Sequence, residues 1–490
     1  MNLAEIAHAS ARAHSARPAV TDARSGHSLT YADLGREVER ITAFLVRHGV
    51  TPGQRIGLLA PNGTAYLPAA FGLLGTGACL VPIASNLTPA EVARIASEIE
   101  LNGCLASPKA DALPGSAHHA GLSGGECDGF TFQWIARDVD GPAALRRLDP
   151  AFIRFTSGTT ADSKGVVLSH DATVSRVEAA DRVLGFTADD RILWVLPLAY
   201  HFAVTIVAYV RAGAHILLST DTYPAALVDA IRRLGATVLY ASPTHFERMS
   251  NLGPTGALTS VRLALSTSAP IAPMVIDRFE SIYGVRVGQA YGIIEAGLPC
   301  INPGLPDLPS RSVGRIVPGY EVAVFSDNGQ RLRSGTPGEI GLRGAGLFSA
   351  YYKPWRLREQ VARDGWFLTG DIGALHDGAL FLHGRKKAVI FVAGLKFFPE
   401  EVEACINEFP GVKESRVFGT PHAQLGQVPR AEVVFATPHP DVEGLRTHCA
   451  RALSPYKVPA EFTVVEATAK TPGGKILRRP DERSVPAERS

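Results

Sequence analysis

The feature that most constrains the fold is a repeated alternation of helix-like and strand-like segments. Apolar residues recur at helical spacing over residues 29–50, and the continuous apolar run at residues 55–60 is typical of a buried strand. Residues 65–78 and 79–84 repeat this pair in the order apolar helix, then strand, and the alternation returns over residues 190–295. Strands that alternate with helices form sheets covered by helices, so the pattern predicts an α/β fold with a mostly parallel sheet.

The pattern of predicted secondary structure changes twice after residue 310. Residues 311–385 hold short strand-like segments separated by turns, which indicates a β-rich subdomain. The remaining residues hold four strand-like segments and two amphipathic helices, enough for a small α/β domain. Since 490 residues exceed the usual size of one hydrophobic core, we predict two domains. The large N-terminal domain, residues 1–385, combines mixed sheets, helices and the β-rich subdomain, and the small C-terminal domain covers residues 386–490.

Composition argues against several classes of protein. The formal net charge is +2 and no run of five basic residues occurs, so we expect no nucleic-acid partner. The six cysteines lie far apart without a CxxC pair, which argues against a disulfide scaffold or a zinc site and favours a reducing cytoplasm. No apolar run reaches the roughly 18 residues of a membrane span, so we expect no transmembrane segment.

A loop rich in hydroxyl groups follows the strand-like segment at residues 151–155. Its candidate phosphate-binding residues are Thr156, Ser157, Gly158, Thr159, Thr160 and Lys164. Hydroxyls, lysine and bare backbone N–H groups donate to anionic oxygens, and glycine lets the backbone come close. The position after a strand is where α/β proteins bind nucleotides, although a plain polar turn remains the alternative. The spacing is not that of the P-loop motif G-x-x-x-x-G-K-[ST], which argues against a P-loop kinase.

Five further segments follow this loop in order. They are PLAYHF (197–202), STSAP with AYGIIE (266–270 and 290–295), GWFLTGD (365–371), GRKKAVIFVAGLKFFPEEVE (384–403) and TPGGKILRR (471–479). Together with TSGTTADSKG (156–165), this set resembles the adenylate-forming superfamily of acyl- and aryl-CoA synthetases, peptide-synthetase adenylation domains and beetle luciferases. The resemblance covers nearly the whole chain. It implies that the C-terminal domain is a mobile lid.

The resemblance also implies two half-reactions. A substrate carboxylate attacks the α-phosphate of ATP, which gives an acyl-adenylate and pyrophosphate, and a thiol then attacks that mixed anhydride. The cofactors implied are ATP, Mg²⁺ and CoA, with a phosphopantetheinyl carrier protein as the alternative thiol. Cations, hydrogen-bond donors and Mg²⁺ are needed because two anions must be held together where charge develops.

Each motif residue takes a role from the resemblance. The loop residues would bind the β- and γ-phosphates of ATP. The residues implied at the adenine and ribose are Ser268, Ala269, Pro270, Tyr291, Gly292, Asp371 and Arg385. Glu295 would be the Mg²⁺ ligand, since a hard cation prefers carboxylate oxygen.

The remaining roles concern catalysis and acyl transfer. Lys475 would bridge the attacking carboxylate and the α-phosphate, and Lys387 falls at the hinge of the lid. His201 would border the acyl pocket, and Gly394 would let the pantetheine arm pass. The simpler readings are a structural histidine and solvated lysines.

Three departures from the family pattern affect the expected rate. Ala161 and Ser163 replace a glycine and a proline of the loop, and Ala388 replaces an acidic residue after the hinge. Ile294 replaces a threonine whose hydroxyl touches the α-phosphate. Loss of one donor near developing charge can cost about 10²–10³ in rate. A degraded homologue that binds nucleotide without turnover is therefore a further alternative.

The identity of the acid is only partly constrained. Amino-acid-activating members hold the substrate ammonium with an aspartate near PLAYHF, but residues 196–210 carry no acidic residue. We therefore expect a carboxylic acid without an α-ammonium group, with a medium or long aliphatic acid favoured over a terpenoid or aryl acid. The expected pocket wall is His201, Phe202, Val204, Tyr240, Phe246, Ser266, Gly288, Ile293 and Leu298.

The acceptor is open between CoA and an acyl carrier protein. Lys396, Lys413 and Arg416 are the candidate CoA contacts, although such residues are commonly just solvated. Luciferase-like oxidation is a remote third class, and a homodimer is the candidate assembly.

Overall fold

The computed structural model describes residues 1–108, 110, 119–155, 165–221, 223–344, 346–392, 395–422 and 424–470. The helices are α1 (Ala4–Ala13), α2 (Tyr31–Arg47), α3 (Tyr66–Gly75), α4 (Pro89–Glu98), α5 (His170–Leu184), α6 (Leu198–His201), α7 (Val207–Ala212), α8 (Pro224–Leu234), α9 (Pro243–Ser250), α10 (Pro273–Tyr283), α11 (Arg358–Val361), α12 (Pro399–Asn407) and α13 (Val442–Ala452). A π-helical turn, Phe202–Ile206, joins α6 to α7.

The first strands of the chain are β1 (Pro18–Asp22), β2 (Ser28–Thr30), β3 (Arg55–Ala60), β4 (Cys79–Ala84), β5 (Gly103–Ala106), β6 (His119–Gly121), β7 (Thr131–Trp134), β8 (Pro150–Phe155), β9 (Gly165–Ser169), β10 (Arg191–Trp194), β11 (His215–Leu218), β12 (Val238–Ala241), β13 (Leu263–Ser266), β14 (Val287–Ile293), β15 (Gly297–Asn302) and β16 (Gly314–Ile316). The later strands are β17 (Tyr320–Phe325), β18 (Gly338–Gly344), β19 (Ala350–Tyr351), β20 (Arg356–Leu357), β21 (Phe367–His376), β22 (Ala379–Arg385), β23 (Ile390–Val392), β24 (Leu395–Phe397), β25 (Val412–His422), β26 (Gly426–Phe435) and β27 (Glu461–Val464).

The chain packs as two units. The first comprises Met1–Val322 and Leu342–Phe367, and the second comprises Ala323–Gly341 and the chain from Leu368 onward. The predicted functional boundary between residues 385 and 386 stays a prediction, because packing does not report which segments move together.

The first unit is built on two sheets. In one, the strands follow the order β16-β15-β14-β13-β12-β10-β11-β1-β2, and every pairing from β14 to β1 is parallel. In the other, the order is β20-β19-β9-β8-β4-β3-β5-β7-β6, with β8, β4, β3 and β5 parallel. The predicted parallel sheets are thus confirmed, and antiparallel strands extend both of them.

Helix α2 shows how the sequence specifies one of these layers. The Thr30 hydroxyl oxygen accepts a hydrogen bond from the Asp33 backbone N–H, and the Asp33 carboxylate accepts one from the Thr30 backbone N–H, a capping box that starts the helix. Its apolar face is fully buried, and each such side chain contributes about 1.5–3 kcal/mol. Gly72 of α3 permits the close approach of the two helices, because a Cβ there would lie 2.7 Å from Ile41.

The second unit contains the β-rich segment and the C-terminal domain. Its strands follow the orders β17-β18-β21-β22 and β24-β23-β26-β25, with β27 parallel to β26. A core that includes Ile390, Val402, Val417 and Leu445 packs helices α12 and α13 on the second group. The β-rich segment, the two helices and four of the strands were predicted. Strand β24 was not predicted.

Two further expectations concern the whole chain. Among the residues described, no helix has both the length and the apolar character needed to cross a bilayer. The six cysteines are all buried free thiols.

Candidate functional site

The predicted phosphate loop lies between two paired strands. Strands β8 and β9 are antiparallel and Phe155 lies opposite Gly165, which holds the two ends of the loop together. Strand β9 leads directly into α5, whose first turn is capped by Ser169, which accepts from the backbone N–H of Ala172 at 3.1 Å. The strand predicted before the loop is confirmed. The loop residues themselves, 156–164, lie outside the described residues.

Glu295 lies in the tight turn between β14 and β15. These strands are antiparallel, with Tyr291 opposite Cys300 and Ile293 opposite Gly297. The pairing register shifts between Tyr291 and Ile293, and the left-handed backbone of Gly297 (φ +83°) helps to reverse the chain there. The turn therefore places Ile294 and Glu295 at the end of the β14–β15 pair.

Contacts from two other segments hold the Glu295 residue. The Tyr351 hydroxyl donates to Glu295 Oε1 at 3.1 Å, and the backbone N–H of Phe348 donates to the Glu295 carbonyl at 2.7 Å. Arg176 of α5 donates to the Ile294 carbonyl at 2.9 Å and to the Glu295 carbonyl at 3.4 Å. Burial and the Glu295 charge raise the pKa of Tyr351, so the phenol remains a donor.

This arrangement fits a hard divalent cation. Mg²⁺ is held by one or two carboxylates together with substrate phosphates rather than by an all-protein cage. The half-buried Glu295 carboxylate accepts a hydrogen bond from Tyr351, whose strand β19 pairs with β9. Within the described part of the chain, no three potential metal-ligand side chains form a cluster.

The segment predicted at the adenine follows β13. Ser268 adopts a left-handed backbone conformation (φ +76°), which is strained for a residue with a side chain. Ala269 and Pro270 after it are exposed, whereas Tyr291 on neighbouring β14 is buried. Strain of this kind, about 1–3 kcal/mol, concentrates at functional positions. These residues thus lie at the carboxyl ends of adjacent parallel strands.

Asp371 and Arg385 lie together in the second unit. They are opposite one another in the β21–β22 hairpin, and Arg385 Nε lies 2.7 Å from Asp371 Oδ1. The Asp371 side chain is 9% exposed and that of Arg385 is 55% exposed. Thr369 Oγ1 accepts from the Asp371 N–H at 3.0 Å and fixes the backbone. The two residues predicted at the ribose therefore form one cross-strand pair.

His201 ends helix α6 in an aromatic cluster. Its ring lies edge-on to Trp194 at 5.5 Å, and Trp194 stacks on Tyr240 at 5.4 Å. The hydroxyls of Tyr240 and Ser266 are buried without a hydrogen-bond partner among the described residues. Burial raises the pKa of Tyr240 to about 12. The Tyr240 phenol is therefore neutral at ordinary pH.

Two residues expected in the pocket wall have a different role. Phe202 is fully buried against Tyr66, Phe71 and Phe152. Phe246 is fully buried against Phe279. Both are core residues, because the apolar faces of their helices are turned into the unit.

A cleft of about 220 Å³ opens close to the His201 segment. It is lined by Ala60, Asn62, Ala84, Ser85, Asn86, Val195, Pro197, Ala199, Ser219 and Thr220. These residues follow the carboxyl ends of β3, β4, β10 and β11, where α/β proteins bind ligands. None of them is charged.

Other predicted residues lie in the second unit. Lys475 and Gly394 are outside the described residues, as are the side chains of Lys387 and Lys396. The expectation that Arg416 is an exposed CoA contact is wrong: its side chain is 6% exposed and lies 3.3 Å from Glu432.

Sequence reasoning missed four residues that the structure brings to the site. Arg176 and Tyr351 contact the Glu295 residue, Trp194 contacts His201, and the Arg154 guanidinium donates to the carbonyl of Tyr200. Burial lowers the pKa of Arg154 to about 10. The available signal was a charged residue inside an apolar strand or helix face, as at Arg154 and Arg176.

Comparisons with known proteins identify the family to which the chain is related. The family model described as AMP-binding enzyme matches residues 7–352, and the model of the AMP-binding enzyme C-terminal domain matches residues 401–475. Sulfoacetate–CoA ligase of Cupriavidus necator is 29% identical, with 94% of each chain covered. Fatty acid–[acyl-carrier-protein] ligase ScoC of Streptomyces coeruleorubidus is 30% identical, with 93% of this chain and 91% of the relative covered.

One relative is much longer, and a solved structure shares the fold. Naringenin synthase of Pestalotiopsis fici is 29% identical over 92% of this chain, which spans 18% of that protein's length. ATP-bound MatB from Rhodopseudomonas palustris is 25% identical over 97% of each chain, with a TM-score of 0.82. The predicted α/β fold, with a large N-terminal and a smaller C-terminal domain, is confirmed.

Proposed function

We propose a specific reaction for this chain, which belongs to the AMP-binding enzyme family and is an AMP-forming acid–thiol ligase of the acyl-CoA synthetase type. A carboxylic acid without an α-ammonium group attacks the α-phosphate of ATP and releases pyrophosphate. The acyl group then passes from the adenylate to the thiol of CoA. The observation that carries the proposal is the hydrogen bond from Tyr351 to the Glu295 carboxylate, since Tyr351 lies on β19, which pairs with the strand that follows the phosphate loop.

Each group of site residues has a proposed role in binding ATP. The loop at 156–164 binds the β- and γ-phosphates, and Glu295 holds Mg²⁺, which neutralises phosphate charge. Ser268–Pro270, Tyr291 and Gly292 contact the adenine, and the Asp371–Arg385 pair contacts the ribose. The geometry of the described residues supports these roles, since each set is gathered at a strand end or in one hairpin.

The catalytic lysine and the lid complete the proposal. Lys475 bridges the carboxylate and the α-phosphate in the first half-reaction. Lys387 is the hinge of a lid formed by residues 386–490, and Gly394 lines the path of the pantetheine arm. His201 borders the acyl pocket. The order of these residues along the chain supports the assignment.

For the acid, we propose a largely apolar body, with medium and long aliphatic acids to be tested first. The absence of acidic residues from 196–210 supports an acid without an ammonium group. We place the enzyme in the cytoplasm, which the six free thiols support.

A carrier protein is the second candidate acceptor. The cleft near His201 has no charged lining residue, whereas CoA carries several phosphate charges that favour cations nearby. ScoC, the relative named as a fatty acid–carrier-protein ligase, is 30% identical to this chain. An uncharged cleft and this relative support a carrier-protein thiol as the alternative to CoA.

Two assays test the proposed function. Acid-dependent exchange between ATP and pyrophosphate should occur with an aliphatic acid in the presence of Mg²⁺, and amino acids should not support it. Thioester formation is then measured with CoA and, separately, with a phosphopantetheinylated carrier protein. No exchange with any acid, despite intact ATP binding, would contradict the proposal. Thioester on the carrier alone would replace CoA by the second candidate.

A further inference from the structure

Arg176 is a charged residue buried in the interior of the first unit. It lies on α5 and is 1% exposed. Its guanidinium donates to the Gly346 carbonyl at 3.0 Å from Nε and 2.5 Å from Nη2, and to the carbonyls of Ile294 and Glu295. Burial of a charge is costly unless it is hydrogen-bonded. The guanidinium thus joins α5 to two separate backbone segments, both through carbonyl oxygens.

The backbone around this side chain approaches it closely. A Cβ at Gly297 would lie 3.1 Å from the Arg176 Cβ, and a Cβ at Gly346 would lie 2.7 Å from it. Gly297 also has a positive φ. The glycines therefore let the 293–297 turn and residue 346 close around Arg176. A planar fork with five donors can serve several carbonyls at once, which a lysine cannot do.

The carboxylate of Glu295 has its own anchor. Tyr351 donates to Oε1 from β19, which pairs with β9. The backbone of Glu295 is thus fixed from α5, and its side chain is fixed from β19. Both elements lie directly beside the phosphate loop in sequence or in the sheet, because β9 and α5 follow that loop.

We propose that Arg176 and Tyr351 are positioning residues for the binding of Mg²⁺ and ATP. Arg176 holds the backbone of Glu295, and Tyr351 holds its carboxylate. This inference rests on the proposed role of Glu295. Groups that orient a metal-ligating carboxylate change metal affinity or activity about 10–100-fold when they are removed. Neither residue touches the reacting atoms.

The test measures equilibrium binding of ATP by calorimetry at a series of Mg²⁺ concentrations, without any carboxylic acid substrate. Arg176→Gln and Tyr351→Phe should each raise the Mg²⁺ concentration for half-maximal ATP binding about 10-fold. Arg176→Lys should fall between Arg176→Gln and the wild type, since it keeps the charge but not the fork. Circular dichroism and thermal midpoints are recorded for every variant.

Arg55 provides the matched control. It is 2% exposed, and its guanidinium donates to the carbonyls of Glu100 and Val139. Arg55→Lys should therefore lower the thermal midpoint without moving the Mg²⁺ dependence. An equal shift in Arg55→Lys would overturn the inference, because general destabilisation would then explain the effect.

The Glu295→Gln variant distinguishes failure of the positioning role from failure of the proposed Mg²⁺ role of Glu295. If Glu295→Gln shifts the Mg²⁺ dependence but folded Arg176→Gln and Tyr351→Phe do not, the positioning role is wrong. If Glu295→Gln leaves it unchanged, the Mg²⁺ role of Glu295 is itself wrong. Should Arg176→Gln fail to fold, Tyr351→Phe, which removes one hydroxyl, decides the outcome.

Discussion

Glu295 and Asp371 are two carboxylates assigned to the same nucleotide, and they are held in different ways. Glu295 lies in a turn fixed by a buried arginine and by a tyrosine, from sequence positions 119 and 56 residues away. Asp371 lies within a strand and is paired with Arg385 of the next strand. The first arrangement depends on the packing of three elements, whereas the second depends on one hairpin.

This difference has consequences for mutation. Loss of a distant buried partner leaves polar groups without hydrogen bonds, which costs about 1–3 kcal/mol for each group. Loss of a half-exposed partner is compensated by water. Nucleotide binding through Glu295 should therefore be sensitive to substitutions of the residues around it. Nucleotide binding through Asp371 should be sensitive mainly to substitution of Asp371 itself.

The largest effect is expected from Lys475→Ala. This change should abolish adenylation while thioester formation from a supplied acyl-adenylate continues, since the lysine charge is needed only where the phosphate and carboxylate meet. The two half-reactions are measured separately, by pyrophosphate exchange and by thioester formation. Equal loss of both would contradict a lid that acts in one half-reaction.

The next effect is that of Glu295→Gln on activity. It should lower kcat/KM for adenylation by about 10³, because a charged ligand of the metal is lost. Glu100→Gln is a matched control, since Glu100 accepts from the Tyr352 hydroxyl at 3.0 Å just as Glu295 accepts from Tyr351. A comparable loss in the control would show that the two tyrosine-bound carboxylates do not differ in role.

Asp371→Asn should have a smaller effect. Hydrogen bonds to a charged group contribute about 1.5–3 kcal/mol, so kcat/KM for ATP should fall roughly 10–100-fold. The loss should be smaller with 2′-deoxy-ATP, which lacks one of the two hydroxyls. Kinetics with both nucleotides check this. The same loss for each would argue against contact with the 2′-hydroxyl.

Acid is expected to weaken the first unit without a change in Glu295. Burial lowers the pKa of His245 to about 4, with a minor contribution from Arg248. The unfolded chain therefore binds a proton below about pH 6.5 that the folded chain does not bind until about pH 4, so stability falls as pH falls through this range. His245→Gln should reduce the loss of unfolding free energy between about pH 6.5 and pH 4 by about 1–2 kcal/mol, after a discount for solvent screening. Urea unfolding across pH 4–7 measures it, and an unchanged slope would contradict the account.

The smallest effect is expected from Arg385→Gln. Its ion pair with Asp371 is half-exposed on the arginine side, so the free energy of unfolding should change by less than about 1 kcal/mol. The KM for ATP should rise a few-fold if the arginine contacts the ribose. Denaturant titration and steady-state kinetics separate these quantities. A large loss of unfolding free energy would contradict this, because it would show that Arg385 stabilises the fold as a buried arginine does.

The two carboxylates also differ in how far the sequence predicts their surroundings. The AYGIIE and LTGD motifs identify Glu295 and Asp371, and the hairpin partner Arg385 follows from its neighbouring motif. Arg176 carries no motif, and its contacts with Ile294 and Gly346 depend on how α5 packs against distant turns. The strand and helix order was predictable because hydrophobic period is local, whereas the contacts around Glu295 require tertiary packing.

The same limit applies to the acid pocket. PLAYHF identifies His201, but Trp194 lies in a strand that reads as ordinary core. Phe202 and Phe246 were expected in the wall because they are apolar and near the motif. They are core residues instead, since apolar character does not distinguish a pocket from a core.

Oxygen-isotope transfer tests the central claim most directly. The acid is supplied with both carboxyl oxygens labelled with ¹⁸O, and the products of one turnover are analysed by mass spectrometry. If the carboxylate attacks the α-phosphate, one ¹⁸O atom appears in AMP and pyrophosphate stays unlabelled. Label in orthophosphate, together with ADP, would show attack on the γ-phosphate and contradict an AMP-forming ligase.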